Sequence, residues 1–234
     1  MTQLTYAREH AIGYEGDPAR SDPLRVRPMR NNSGADLPFG RALAVGFAEG
    51  ASDQAVKLPN ASTDKILGVN LADRARAPQL DGTEVNGVRD DGMVNMLVGG
   101  SVYVSPETAV TVYDSVFARF GAGATTDGED LAGRFRKDAD VVTAWTKNTA
   151  VALGVRRALA GKVYQCITAG TTEDSDTPAL ESETGADITD GTAHWRYVGI
   201  CDATTRASAL EIAGARWLSS SAANGIAALS INLP

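Results

Sequence analysis

Histidine, cysteine and aromatic residues are all scarce in this 234-residue chain, which has two His, two Cys and 6% aromatics. His10 stands in a polar segment and His194 beside Trp195, so neither a His-based metal site nor a Ser-His-Asp arrangement has its parts. Two cysteines imply no disulfide framework. Basic charge is also short: 22 Lys and Arg against 29 Asp and Glu leave a net −7. That balance speaks against a nucleic-acid partner, because affinity for nucleic acid comes mainly from neutralising phosphates. No stretch is apolar for long enough to span a membrane, and the opening MTQLTYAREHAIGYEGDPAR lacks the apolar core of a signal peptide, so no membrane partner or secretory route is expected.

The motifs that carry chemistry in enzymes are equally thin. GAGATTDGEDLAG has suggestive glycines, but no Lys-Ser or Lys-Thr follows and no helix is expected to present amides to a phosphate. Acidic groups gather at Asp90 and Asp91, at Asp127, Glu129 and Asp130, and at Glu173, Asp174 and Asp176. All three lie in turn-like settings, and none matches a calcium-binding D-x-D-x-D-G loop. The chain is therefore read as a non-enzyme with no catalytic residue, no metal ligand and no cofactor.

What is abundant is Gly (24 residues), with Ala, Thr and Val, a composition suited to short strands and tight turns. Residues 1–38 are rich in Pro, Gly, Asp and Arg without apolar periodicity and read as an extended amino-terminal arm with at most one short strand. Arg20, Arg25, Arg27 and Arg30 form its basic cluster, either a docking element for an acidic surface or a solvated loop. From residue 39 compact strands follow. Gly99-Gly100 reads as a turn or bulge, Val110, Val112, Phe117 and Phe120 as core, and Asn224-Gly225 as a hairpin turn before an apolar terminal strand. A turn or two of helix fits best in ADRARAPQL or ALEIAG. Trp145, Trp195 and Trp217 are expected as core or interface anchors, with sugar stacking as the alternative.

Residues 161–199 form a self-contained pattern. GKVYQCITAGTT alternates Tyr164 and Cys166 with Val163, Gln165 and Ile167, and DITDGTAHWRYVG alternates Trp195 and Tyr197 with His194, Arg196 and Val198. Two strands closing over an aromatic face is the reading, with His194 turned to solvent. If the second strand continued unbroken, Cys201 would fall on the Trp195 face, where a bridge to Cys166 is conceivable. Two buried free thiols are the reading for a protein assembled in a reducing cytoplasm.

The VYQC, AGT, loop Pro178 and DGTAHWRYVG features resemble a small module that recurs in structural proteins of tailed bacteriophages. The succession FGRALAVG, ILGVNLADRA, DDGMVNMLVGGSVYV, GRFRKDAD and ALEIAGARWLSSS with GIAALSINLP resembles the phage head-decoration, or cement, proteins. The resemblance implies an all-β fold with a jelly-roll-like or related β-sandwich core in residues 39–157 and 204–234, and the small module inserted as residues 158–203. It implies a virion protein on the outer capsid surface, assembled in the host cytoplasm, that stabilises the shell by bridging major capsid protein subunits and self-associates as a dimer or trimer. Arg20, Arg25, Arg27 and Arg30, together with Ile226, Leu229, Ile231 and Leu233 of the terminal strand, are then the expected capsid contacts. The rival is a tail or baseplate component whose module binds host glycan through Trp195 and Tyr197.

Overall fold

The computed structural model describes residues 13–19, 23–46, 54–72, 87–121, 132–174 and 187–233, and among them the fold is all-β without helix. Seven strands come first: β1 (Arg25–Asn31), β2 (Leu37–Pro38), β3 (Ala42–Val45), β4 (Ala55–Lys57), β5 (Ile66–Asn70), β6 (Gly87–Val88) and β7 (Met93–Val104). β1 pairs with both β4 and β7, so the order β1-β4-β3-β5-β7 returns to its start. The principal sheet therefore closes into a barrel, which removes the free edges that an open sheet would have to protect.

Closure changes the reading of the amino-terminal segment. Arg25–Asn31, expected within an extended arm, is a barrel strand whose register runs from Arg25 opposite Gly99 to Arg30 opposite Met93. Met29 supplies the reason: it faces inward with Leu37, Leu43, Val56, Val88, Val94, Met96 and Val98 to fill the barrel. Arg25, Arg27, Pro28 and Arg30 hid this strand because only Met29 and Asn31 of its side chains are buried.

β8 (Phe117–Arg119) and β9 (Phe135–Arg136) pair with each other. The module strands are β10 (Ala150–Val151), β11 (Arg156–Leu159), β12 (Lys162–Thr168), β13 (Gly170–Thr171), β14 (Ile188–Asp190) and β15 (Ala193–Ile200). The chain ends with β16 (Ala209–Glu211), β17 (Arg216–Trp217) and β18 (Ala227–Asn232). The first half of ALEIAG thus forms strand β16 alongside β8 and the rest turns without helix; ADRARAPQL lies almost entirely outside the described residues.

β18 pairs along the second half of β7 and, on its other side, with β17. Together with β8, β9 and β16 it encloses a second core containing Leu97, Val102, Val104, Phe135, Trp217, Leu229 and Ile231. Phe135 meets Trp217 edge to face at 6.5 Å between ring centroids. β7 serves both cores. Its even-numbered side chains pass from the barrel (Val94, Met96, Val98) to the second core (Val102, Val104) across Gly99-Gly100. Gly100 has φ +123°, a conformation that side-chain-bearing residues rarely adopt, so the irregularity read there is real although the strand continues through it.

The module is a four-stranded sheet, β11-β12-β15-β14, with β10 and β13 paired beside it. Tyr164, Cys166, Ile188, Ala193 and Trp195 are buried on one face with Val151. Trp145 packs against them, and Thr172 Oγ1 donates to Thr146 O at 2.7 Å, so the module's contacts extend upstream of residue 158. Cys201 lies in a separate cluster with Val142, Ala158 and Val163. Register shifts between β12 and β15 break the alternation that would have put Cys201 beside Trp195, and both thiols are free and buried.

Candidate functional site

Charged residues concentrate inside the molecule where the module joins the core. Arg119 Nε and Nη2 donate to the two Glu107 oxygens at 2.7 Å each, and Nη2 also reaches Asp140 Oδ2 at 2.8 Å. Arg136 Nη1 donates to Glu107 Oε2 at 2.9 Å, and Arg156 of β11 donates to both Asp140 oxygens. Burial alone would raise the Asp140 carboxyl; the Arg156 hydrogen bond and the charges of Arg119, Arg136 and Arg156 overcome it and hold the group well below the usual carboxylate range. Burial likewise pulls the Arg119 guanidinium down, but hydrogen bonding and attraction to Glu107 and Asp140 leave it raised. The network fastens β11 to β8, β9 and the segment after β7; it holds no reactive group open to a substrate.

Beside it, Arg119, Arg156, Val163, Ile200 and Ser208 line a cleft of about 20 Å³, room for a water molecule and no more. Ser208 Oγ is buried there without a protein partner. Among the described residues no three His, Cys, Asp or Glu side chains gather as a metal ion requires.

The glycan reading fails at Trp195. Its ring is fully buried, and its Nε1 donates to Asp190 Oδ2 at 2.9 Å, as Trp145 Nε1 does at 2.8 Å. No face remains for a sugar, because the ring forms the module's own core. Tyr197 is half-buried, edge-on to Tyr164 at 6.0 Å, and burial pushes the Tyr164 hydroxyl up to about 12. His194 is partly exposed and pairs with Asp187 at 2.8 Å.

The terminal strand is also spent internally. Leu229, Ile231 and Leu233 are buried in the second core and withdrawn from external contact, while Ile226 is half-buried. Flanking strands on both sides satisfy β18, as apolar strand residues of this kind require.

The arginine cluster fares differently. Arg20 lies outside the described residues. Arg25 reaches across Gly99 to donate to Asn232 Oδ1 (2.8 Å) and Leu233 O (2.7 Å), which clamps the carboxyl-terminal strand. Arg30 pairs with Asp91 at 2.6 Å in the open, a contact worth little in water. Arg27 is exposed. Around them stand apolar side chains the sequence reading did not single out: Leu24 (37% exposed), Val26 (41%) and, opposite Arg30, Met93 (58%). The result is a mixed apolar and basic strip along β1 and the first half of β7 of an otherwise acidic molecule. β1 runs in unbroken register from Val26 to Arg30, so Val26 and the inward Met29 lie on opposite faces, and with Arg27, Pro28 and Arg30 between and beside them neither face carries an apolar series, which is why no amphipathic strand was visible there.

The family model described as "Structural cement protein (E217 gp24/Pam3 gp6)" matches residues 2–232. The chain belongs to this phage cement protein family. Among solved structures, it is similar to a chain of "The capsid of Myoviridae Phage XM1", with 13% identity, a TM-score of 0.49, and coverage of 99% of this chain and 98% of that one. No curated protein matches the sequence. As a cement protein the chain has a structural role in the phage capsid, and the virion is where it works.

Proposed function

We propose that this cement protein binds the outer surface of an assembled phage head and stabilises it by bridging neighbouring major capsid protein subunits. The strip of Leu24, Val26, Arg30 and Met93 carries the reading, since exposed apolar side chains interleaved with Arg are what protein interfaces enrich. Binding the assembled lattice and not its separated subunits stabilises the lattice by mass action. The two free, buried thiols accord with assembly in a reducing cytoplasm, and self-association as a dimer or trimer would multiply the contacts each particle makes.

The test is co-sedimentation of the purified chain with expanded heads that lack it, followed by heating of the heads. Saturable binding that delays disruption is expected, and the double substitution Val26→Asp with Met93→Asp should weaken binding about tenfold or more. Absence of binding by the unsubstituted protein would end the cement reading for the outer shell.

A further inference from the structure

A protein that bridges must grip in two places, and the strip is one. The most exposed large apolar side chain among the described residues stands elsewhere: Tyr113 is 95% exposed, and its neighbour Val112, expected in the core, is 42% exposed. Both sit on a tight turn. Thr111 N donates to Asp114 Oδ2 at 2.7 Å, and Asp114 N donates to Thr111 O at 3.1 Å. The base of the turn is fixed by reciprocal backbone bonds between Val110 and Ser221 (2.9 and 3.1 Å), by burial of Val110 and Val116, and by the Trp217 indole donating to Ser115 O. A rigid turn that presents a Tyr has already lost the freedom that binding would otherwise cost.

Its position matters as much as its stiffness. The strip begins at Met93, the first residue of β7, while the turn follows Val104, the last, with Pro106 O accepting from Asn224 N on the way. Along β7 the strip's nearer end, Leu24 beside Gly100, is about four residues or roughly 13 Å from Val104, and its farther end at Met93 is up to roughly 35 Å from it. Contacts set apart along one strand in this way can reach two different subunits of a shell.

We propose that the Val112-Tyr113 turn is a second foothold on the phage shell, an apolar knob that enters a pocket on a capsid subunit other than the one held by the β1 strip. This rests on the cement reading above. A second copy of this chain is a poorer occupant. A Tyr and a Val bury a few hundred Å² at most, against the roughly 1,000 Å² that a pairing of copies through this turn alone would need. As an addition to an existing grip, the same small area suffices, because the second contact forms at high effective concentration.

The test compares the unsubstituted chain with Tyr113→Ala and with Val112→Ser/Tyr113→Ala, whose exposed positions leave the fold intact, in co-sedimentation with heads lacking the protein and in thermal disruption of the loaded heads. Affinity should fall about 10-fold to 100-fold. Heads saturated with the variant at high concentration should lose the delay in disruption, since one remaining grip binds without bridging. Equal affinity and equal protection by both variants would overturn the proposal while leaving the cement function in place. Self-association of the free protein that Tyr113→Ala abolishes would overturn it in favour of a contact between copies. Failure of the unsubstituted chain to bind heads would remove both this proposal and the function it rests on.

Discussion

The Glu107 and Asp140 side chains lie largely buried among three guanidinium groups where the module meets the core, whereas Asp190, fully buried inside the module, is held by two indole N–H groups and the Glu173 amide. The two arrangements solve one problem, a carboxyl withdrawn from water, by different means. The junction network draws on positions 107, 119, 136, 140 and 156 and so ties together segments that are far apart in the chain. The Asp190 arrangement is local to one small sheet, where it orients Trp145 and Trp195 within a single aromatic core. Charge pairs join the parts of this protein; hydrogen bonds to a lone carboxyl shape one part.

The sharpest way to break the comparison is Glu107→Ala. It removes the carboxylate that Arg119 and Arg136 share; since Arg119 keeps Asp140 and Arg136 keeps Asp138 and Asp140, the cost should be about 3 kcal/mol, the low end for breaking a buried pair. Denaturant unfolding should show a loss of that size for the whole chain, and a loss confined to residues 142–203 would mean that the network serves the module alone. Acid should produce a related effect. The folded Asp140 carboxyl titrates below its ordinary value of 3.8, so its contribution is complete above that value and disappears as pH falls through the lower folded one. Stability should therefore decline on going from about pH 5 to about pH 3, and Asp140→Asn should flatten that slope while lowering stability at neutral pH. An unchanged slope would assign the acid sensitivity to other groups.

These two sites also differ in how visible they were before the structure. Alternation of Tyr164 and Cys166, and of Trp195 and Tyr197, marks the module's buried face because β-strand side chains alternate locally, and the Asn224-Gly225 turn is likewise a short-range signal. The all-β class and the phage structural resemblance followed from such short pieces. The junction network leaves no local trace, since its charges come together only through pairing of β8 with β9 and packing of β11 against them. Closure of the barrel by Arg25–Asn31 is a long-range pairing of the same kind, and a segment of Arg and Pro with one inward Met looks like an arm until β7 lies beside it. Val112 misleads in the opposite way. It keeps step with Val110, but Asp114 turns the chain back and puts Val112 outside.

A smaller effect tests whether the module's carboxyl is as local as its contacts suggest. Asp190→Asn keeps one oxygen for the two indole N–H groups, both of which donate to Oδ2, and loses the oxygen that accepts from Glu173 N. Exchange of a charged acceptor for a neutral one, with one amide left unpaired, should cost about 1–2 kcal/mol. Because the contacts stay within the module, the loss should show as faster hydrogen exchange in β12, β14 and β15 and as altered tryptophan near-ultraviolet dichroism, with β7 and β18 protected as before. Equal acceleration in β7 and β18 would show that the module and the core unfold as one unit. In that case the junction network, and not the Asp190 hydrogen bonds, sets the stability of the module.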